Sequence, residues 1–307
     1  MIIFCFIGSG FIGKFLFSLV FFFVMMSAST SVAKPAVETD NGPVFGSQYS
    51  DINNQSNQTA KISLLPAIAE DFTATWCTNC VKVEHALDDL EVEGLLQKYE
   101  FHVNPDLDES GFGSEDITQH LDARYGAESP PLVAINGTIK KHGSLPESDS
   151  LVNDYRDMMQ TPLDFGDASS SFIWTPSTEN TGVITWSLDA DLSTYPEATL
   201  SVNAWIVEQS AEFDGGSNGQ GTYFDLVRQI TDLGSNPQGT ANISIPTPHD
   251  GDDLEVHLVY LLNVPLAEDT MPVGDDEAGE ETKSVPGFGV MITLLAGFSA
   301  ALIARRI

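Results

Sequence analysis

Apolar and polar positions change register twice along the chain, dividing it into regions with different expected elements. Between residues 61 and 162, short apolar runs alternate with helical periods. The run 67–72 predicts a strand, and Val83, Leu87 and Leu90 then mark one face of a helix starting at Cys77. Val92, Leu95, Leu96 and Tyr99 extend that pattern past a kink near Gly94. Residues 99–104 predict a second strand. Ser114 and Gly126 bracket a short helix carrying Ile117 and Leu121. Residues 132–135, the pair Asn136-Gly137 and residues 138–139 predict a hairpin, because Asn and Gly tolerate positive φ. Ser148 is placed to cap a last helix with Leu151, Val152, Tyr155, Met158 and Met159 inward.

Residues 163–266 read differently. Runs at 172–176, 182–188, 199–207, 223–233, 241–246 and 254–264 predict six strands separated by Gly-, Asn-, Asp- and Pro-rich turns. Their spacing predicts an antiparallel β-sandwich domain. Residues 223–233 also fit a helix, with Phe224, Val227 and Ile230 on one face. Trp174, Trp186 and Trp205 lie on strands and are expected in the core. The loop 214–221 lacks the acidic spacing of a calcium loop and reads as a turn.

The ends carry targeting patterns. Residues 1–33 read as a signal peptide, with Lys14, an apolar core over 15–26 and a small-residue site at Ser31-Val32-Ala33. Residues 34–60 are polar, show no apolar period and read as a linker. Residues 267–284 hold seven acids against one lysine and predict an extended spacer. Residues 285–307 combine an apolar run with terminal arginines and predict a membrane helix.

Composition narrows the function classes. The net charge of −31 excludes nucleic acid as an expected partner, since phosphate binding draws on Lys and Arg. Three cysteines are present, and Cys5 falls in the signal, leaving Cys77 and Cys80. The six histidines are scattered without paired ligand spacing, so no metal site and no cofactor are expected.

Cys77 and Cys80 sit where the strand 67–72 runs into a helix. A helix N-terminus offers free N–H groups and partial positive charge that stabilise a thiolate. Cys77 is the expected nucleophile, and Cys80 is placed to resolve a mixed disulfide. Export would put the pair where disulfides persist.

The residues Asp71-Phe72-x-Ala74-x-Trp76-Cys77-x-x-Cys80, with Tyr125-Gly126 and Ser129-Pro130-Pro131-Leu132, resemble the thioredoxin-like family. The resemblance implies an α/β thioredoxin-like domain over 61–162 and a Cys77–Cys80 disulfide. It also implies a proton-transfer role for Asp71 and a cis-proline at Pro131 facing the disulfide. Trp76, Pro130 and Pro131 would then shape the substrate groove. Thr78-Asn79 replaces the family's Gly-Pro, and the lysine that accompanies the buried aspartate has no match, Phe101 or His102 being nearest. Val285-Pro286-Gly287-Phe288-Gly289, the apolar run and Arg305-Arg306 resemble the archaeal Pro-Gly-Phe sorting signal, which implies anchoring to the cell membrane or cell surface.

These readings converge on an extracytoplasmic, membrane-tethered thiol–disulfide oxidoreductase. Its partners would be cysteine-containing exported proteins or a membrane redox relay. Two alternatives stand beside it: a cell-surface binding module in which the thioredoxin-like part is a scaffold, and a copper chaperone using Cys77 and Cys80.

Overall fold

The computed structural model describes residues 33–178 and 180–265. Thirteen strands and three α-helices follow one another: β1 (Val37–Glu38), β2 (Val44–Asp51), β3 (Ser56–Lys61), β4 (Ala67–Thr73), α1 (Cys80–Val92), β5 (Leu96–His102), α2 (Glu115–Tyr125), β6 (Leu132–Ile135), β7 (Ile139–His142), α3 (Leu151–Met158), β8 (Ser169–Thr178), β9 (Thr181–Asp189), β10 (Thr199–Glu212), β11 (Thr222–Gly234), β12 (Gln238–Ser244) and β13 (Leu254–Asn263). They form two sheets. One has nine strands in the order β1-β7-β6-β4-β5-β11-β10-β13-β2; the other has four, β12-β9-β8-β3.

This corrects the expected α/β thioredoxin-like domain followed by a separate β-sandwich. The protein is mostly β, and one mixed sheet runs through both segments. The physical reason lies at β5. It pairs parallel with β4 on one side, and its other edge is covered by β11 through Leu226 and Glu100. An exposed edge there would have left unpaired N–H and C=O groups. Tyr99 and Phe101 point from β5 into one apolar cluster with Phe72, Trp205, Val207, Val227 and Val259. Trp205 meets both rings edge-on, with centroids 4.9 and 5.2 Å away. The two segments therefore share a core.

The six strands expected over 163–266 are all present, and 223–233 is strand, within β11. They are split between sheets: β10, β11 and β13 join the nine-stranded sheet, and β8, β9 and β12 the smaller one. Trp174 and Trp205 are fully buried and Trp186 nearly so. Residues 34–60, expected to be a linker, supply β1, β2 and β3. The exposed face of β3 is polar, which hides the strand from an apolar-period search; its burial alternates residue by residue.

Three local expectations hold. Ser114 caps α2 by accepting from the Ile117 N–H, Gly126 closes it, and Asn136 and Gly137 turn β6 into β7 with φ of 50° and 70°. Two shift. The cap of α3 is Ser150, which accepts from the Asn153 N–H, while the Ser148 N–H donates to Asp154. The helical pattern expected to continue past Gly94 through Leu95, Leu96 and Tyr99 stops at Val92, because Gly94 turns the chain at φ 73° into β5.

Among the described residues no helix is long and apolar enough to cross a membrane. The spacer and helix over 267–307, and the signal over 1–33 apart from its last residue, lie outside the described residues. The membrane helix is thus no part of the described fold.

Candidate redox site

Cys77 and Cys80 are joined as a disulfide. The Cys77 N–H donates to the Ala74 carbonyl at 2.9 Å and the Cys80 N–H to the Cys77 carbonyl at 3.1 Å, so two successive turns carry the chain from β4 into α1. The helix begins at Cys80 rather than Cys77. Its N-cap, Asn79, makes no side-chain capping bond, which leaves first-turn N–H groups free of a side-chain acceptor. Cys77 is 6% exposed and Cys80 is wholly buried, so Cys77 is the more accessible residue of the pair. Trp76 is half-buried against the Ala74, Cys77 and Cys80 cluster, and its indole N–H has no acceptor.

The Pro130–Pro131 bond is cis. Pro131 is buried and Pro130 half-buried. Pro131 stands one step beyond the Phe72–Leu132 pair of the β4–β6 ladder, beside Thr73 at the end of β4. The expected site residues Asp71, Trp76, Cys77, Cys80 and Pro131 thus all belong to the β4–α1 junction and its neighbouring strand end.

Beneath that junction lies a buried acidic cluster, most of which sequence reasoning missed. Asp71 on β4, Glu84 on α1 and Glu100 on β5 each bring a carboxylate oxygen within 4.8 Å of the others. Asp71 and Glu100 are register partners across β4 and β5. Glu84 follows Cys80 by four residues, on the same helical face, and both are buried. Burial, with Glu84 and Glu100 beside it, pushes Asp71 well above the usual carboxylate range. Burial and the Glu100 charge raise Glu84 to about 7. Burial pushes Glu100 upward too, but Lys98 and His102 outweigh it and hold Glu100 below its ordinary value.

Lys98 is the cation of the site. Its Nζ lies 3.0 Å from Glu100, 2.5 Å from Asp88 and 3.8 Å from Asp225. Lys98, Glu100 and His102 alternate with Tyr99 and Phe101 along β5, so one face is ionic and the other enters the core. That two-residue period was the available signal; it was obscured because β5 begins at Leu96, three residues before the expected strand. On α1 the corresponding signal is Cys80, Glu84 and Asp88 at four-residue spacing.

A second network clamps the approach to the cysteines. Asp108 accepts from the Thr75 N–H at 3.0 Å and the Thr75 hydroxyl at 2.8 Å. It also pairs with His102 at 3.0 Å and accepts from the Ser110 hydroxyl at 2.5 Å. Burial alone would depress His102, but Asp108 and Glu100 raise it to about 9. Burial likewise works against the Asp108 charge, and His102 and Ser110 overcome it to hold that carboxylate below its ordinary value.

The loop 213–221 between β10 and β11 covers this region from the other segment. The Asn218 N–H donates to the Thr75 carbonyl at 3.0 Å, and the Gln220 amide donates to Glu84. Expected only to turn the chain, the loop is a wall of the site.

The three clustered carboxylates have oxygen-ligand spacing. Lys98 and His102 already bring positive charge to Glu100, which suits shared protons as well as a cation. The scattered histidines have separate roles: His85 is exposed, His120 pairs with Glu70 at 2.7 Å, and His257 meets Tyr99 at 2.9 Å.

No family model matches the chain, and no curated protein matches it. Among solved structures, a crystal structure of protein AGR_C_4864 from Agrobacterium tumefaciens is similar at 16% identity and a TM-score of 0.37. The match covers 59% of this chain and 78% of that one. A likeness of that size carries no argument about fold or function.

Proposed function

We propose that the protein is an extracytoplasmic thiol–disulfide oxidoreductase acting on cysteines of exported proteins. The observation that carries the reading is the Cys77–Cys80 disulfide at the start of α1, with Cys77 the more exposed sulfur-bearing residue and Cys80 buried. The expected signal over 1–33 supports the compartment.

The exchange balances without a further reagent. A substrate thiolate attacks Cys77 Sγ, the Cys77–Cys80 bond breaks, and Cys80 leaves as a thiolate that takes a proton. A second substrate thiolate attacks the substrate sulfur of the mixed disulfide and expels Cys77. The protein gains two electrons and two protons, and the substrate dithiol becomes a disulfide. The reverse sequence reduces a substrate disulfide. The helix N-terminus that follows, without a side-chain cap at Asn79, favours thiolate at the pair. Trp76 packs against the cysteine cluster, Pro131 is assigned the facing wall of the substrate groove, and Asp71 is assigned the proton transfer.

The test is oxidation of a dithiol peptide by the full chain, with Cys77→Ser as control. Stoichiometric peptide oxidation by the wild type and none by the variant supports the reading; equal rates sink it. The copper-chaperone alternative predicts stoichiometric Cu(I) binding lost in Cys80→Ser.

A further inference from the structure

Glu84 is a buried carboxylate on the helix that begins at Cys80. Through its place on α1 it shares a face with Cys80, one turn earlier. Its Oε1 accepts from the Thr73 hydroxyl at 2.6 Å, and its Oε2 accepts from the Gln220 amide. Gln220 is half-buried in the 213–221 loop, so Oε2 is separated from solvent by one side chain. Asp71, whose two carboxylate oxygens have no hydrogen-bond partner and no exposure, opens onto Glu84 and Glu100.

The groups around Glu84 come from every element packed there. They are Asp71 and Thr73 on β4, Lys98 and Glu100 on β5, Tyr223 on β11 and Gln220 in the loop. Tyr155 on α3 faces Asp71 rather than Glu84. Three carboxylates this close, out of water, cannot all be ionised when Lys98 is shared with Asp88 and Asp225 and His102 with Asp108, so the cluster holds exchangeable protons. Glu100 is kept ionised by Lys98 and His102. The mobile protons therefore belong to Asp71 and Glu84.

We propose that Glu84 is a positioning residue for the redox step, relaying protons between Asp71 and solvent through an exit formed by Gln220. It rests on the redox reading of Cys77 and Cys80. When the disulfide opens, the Cys80 thiolate takes the proton of Asp71. Asp71 is reprotonated by Glu84, and Glu84 by water at the Gln220 edge. The substrate thiols have given up their two protons to solvent, so the protons balance. The second segment thus contributes the exit of the path, which gives the loop a role in the chemistry.

The loop's shape fits this task. Asn218 accepts from the Tyr223 hydroxyl at 2.9 Å and from the Gln220 N–H at 3.0 Å, which holds Gln220 over Glu84. A Cβ at Gly216 would meet the Tyr223 hydroxyl at 2.5 Å and the Thr75 carbonyl at 3.0 Å, so only glycine allows this approach.

The test uses the full chain, reduced by excess dithiothreitol so that no protein substrate is needed. Two readouts are taken: the rate of disulfide opening against pH, and the protonated-carboxyl infrared band before and after reduction. In the wild type the rate profile bends near pH 7, where Glu84 titrates, and reduction perturbs the carboxyl band. In Glu84→Gln the bend is lost, opening slows by about 10-fold, below the 10²–10⁴ of a directly acting group, and Asp71 gives up its proton without return, so reduction diminishes the carboxyl band more than in the wild type. Glu84→Asp recovers part of both. A Glu84→Gln profile and band change matching the wild type overturn the relay. So does a divalent cation held stoichiometrically by the wild type and released in Glu84→Gln, which would make the cluster a cation site. Peptide oxidation that survives in Glu84→Gln with an unaltered profile sinks the relay alone. Equal peptide rates in wild type and Cys77→Ser sink the redox reading, while the dithiothreitol readouts still report on Glu84.

Discussion

Glu70 and Asp71 are consecutive buried acids on β4, and the fold treats them oppositely. Glu70 accepts from His120 at 2.7 Å and from the Tyr125 hydroxyl, whereas neither Asp71 oxygen has a hydrogen-bond partner. Successive strand residues face opposite ways, so one acid is satisfied by α2 and the other points toward α1. Burial pushes Glu70 upward, but His120 and Arg124 win and hold it low; Asp71 stays high. A buried polar group left without partners costs stability, and the natural place for such a cost is a functional site.

Opposite effects on substitution follow. Glu70→Gln breaks a satisfied network and should destabilise by roughly 2–4 kcal/mol in urea unfolding at neutral pH. Asp71→Asn replaces a group that resists ionisation by a neutral one, and should leave stability equal or raised at alkaline pH. The same change should slow exchange by ~10²-fold or more if Asp71 hands the proton to Cys80. Loss of stability in Asp71→Asn with unchanged exchange contradicts the assignment.

Glu84 makes stability depend on pH in a defined direction. Its folded value of about 7 lies above the ordinary 4.5, so the folded state holds a proton that the unfolded chain releases. Its contribution is fully present below pH 4.5 and is lost as pH rises through 7. The amount is on the order of 3 kcal/mol at most. His102 adds a loss in the same direction, from 6.5 through about 9. Urea midpoints should therefore fall from acid to alkaline pH, and Glu84→Gln should flatten only the lower part of the decline.

Asp108 fixes the backbone entering the cysteine turn. Removing it leaves the buried His102 with Glu100 as its remaining carboxylate partner, 3.7 Å away, and frees the Thr75 N–H. Asp108→Ala should destabilise by about 3–5 kcal/mol and abolish hydrogen-exchange protection of the Thr75 amide. Asp108→Asn, which keeps an acceptor, should be milder in both measurements. Retained Thr75 protection in Asp108→Ala contradicts the clamp.

Trp205 tests whether the two segments are one folding unit. It packs with Tyr99 and Phe101 across the β5–β11 seam. Trp205→Ala should cost about 3–5 kcal/mol and still give a single unfolding transition in calorimetry. Two resolved transitions contradict a shared core.

The sequence showed individual elements better than their assembly. The Asn136-Gly137 turn, the Ser114 cap and the six later strands were legible because each rests on local backbone chemistry. Sheet membership was not: β11 reads the same whether its neighbour is β10 alone or β5 as well. The family resemblance over 61–162 drew a boundary that the Leu226–Glu100 pairing crosses. At the site, Cys77, Cys80 and Asp71 stood out by motif. Glu84 and Lys98 looked like ordinary charged positions on a helix and a strand. Their meaning depends on burial, which arises only when β4, β5, α1 and the 213–221 loop close together.

Trapping of a mixed disulfide tests the central claim most directly. The full chain carrying Cys80→Ala is mixed with a peptide bearing one disulfide, and adducts are located by mass spectrometry after acid quench. A covalent adduct at Cys77, absent when Cys77→Ala is combined with the first substitution, is the predicted result. Free Cys77 thiol throughout, with no adduct at excess peptide, would contradict a redox role for the pair.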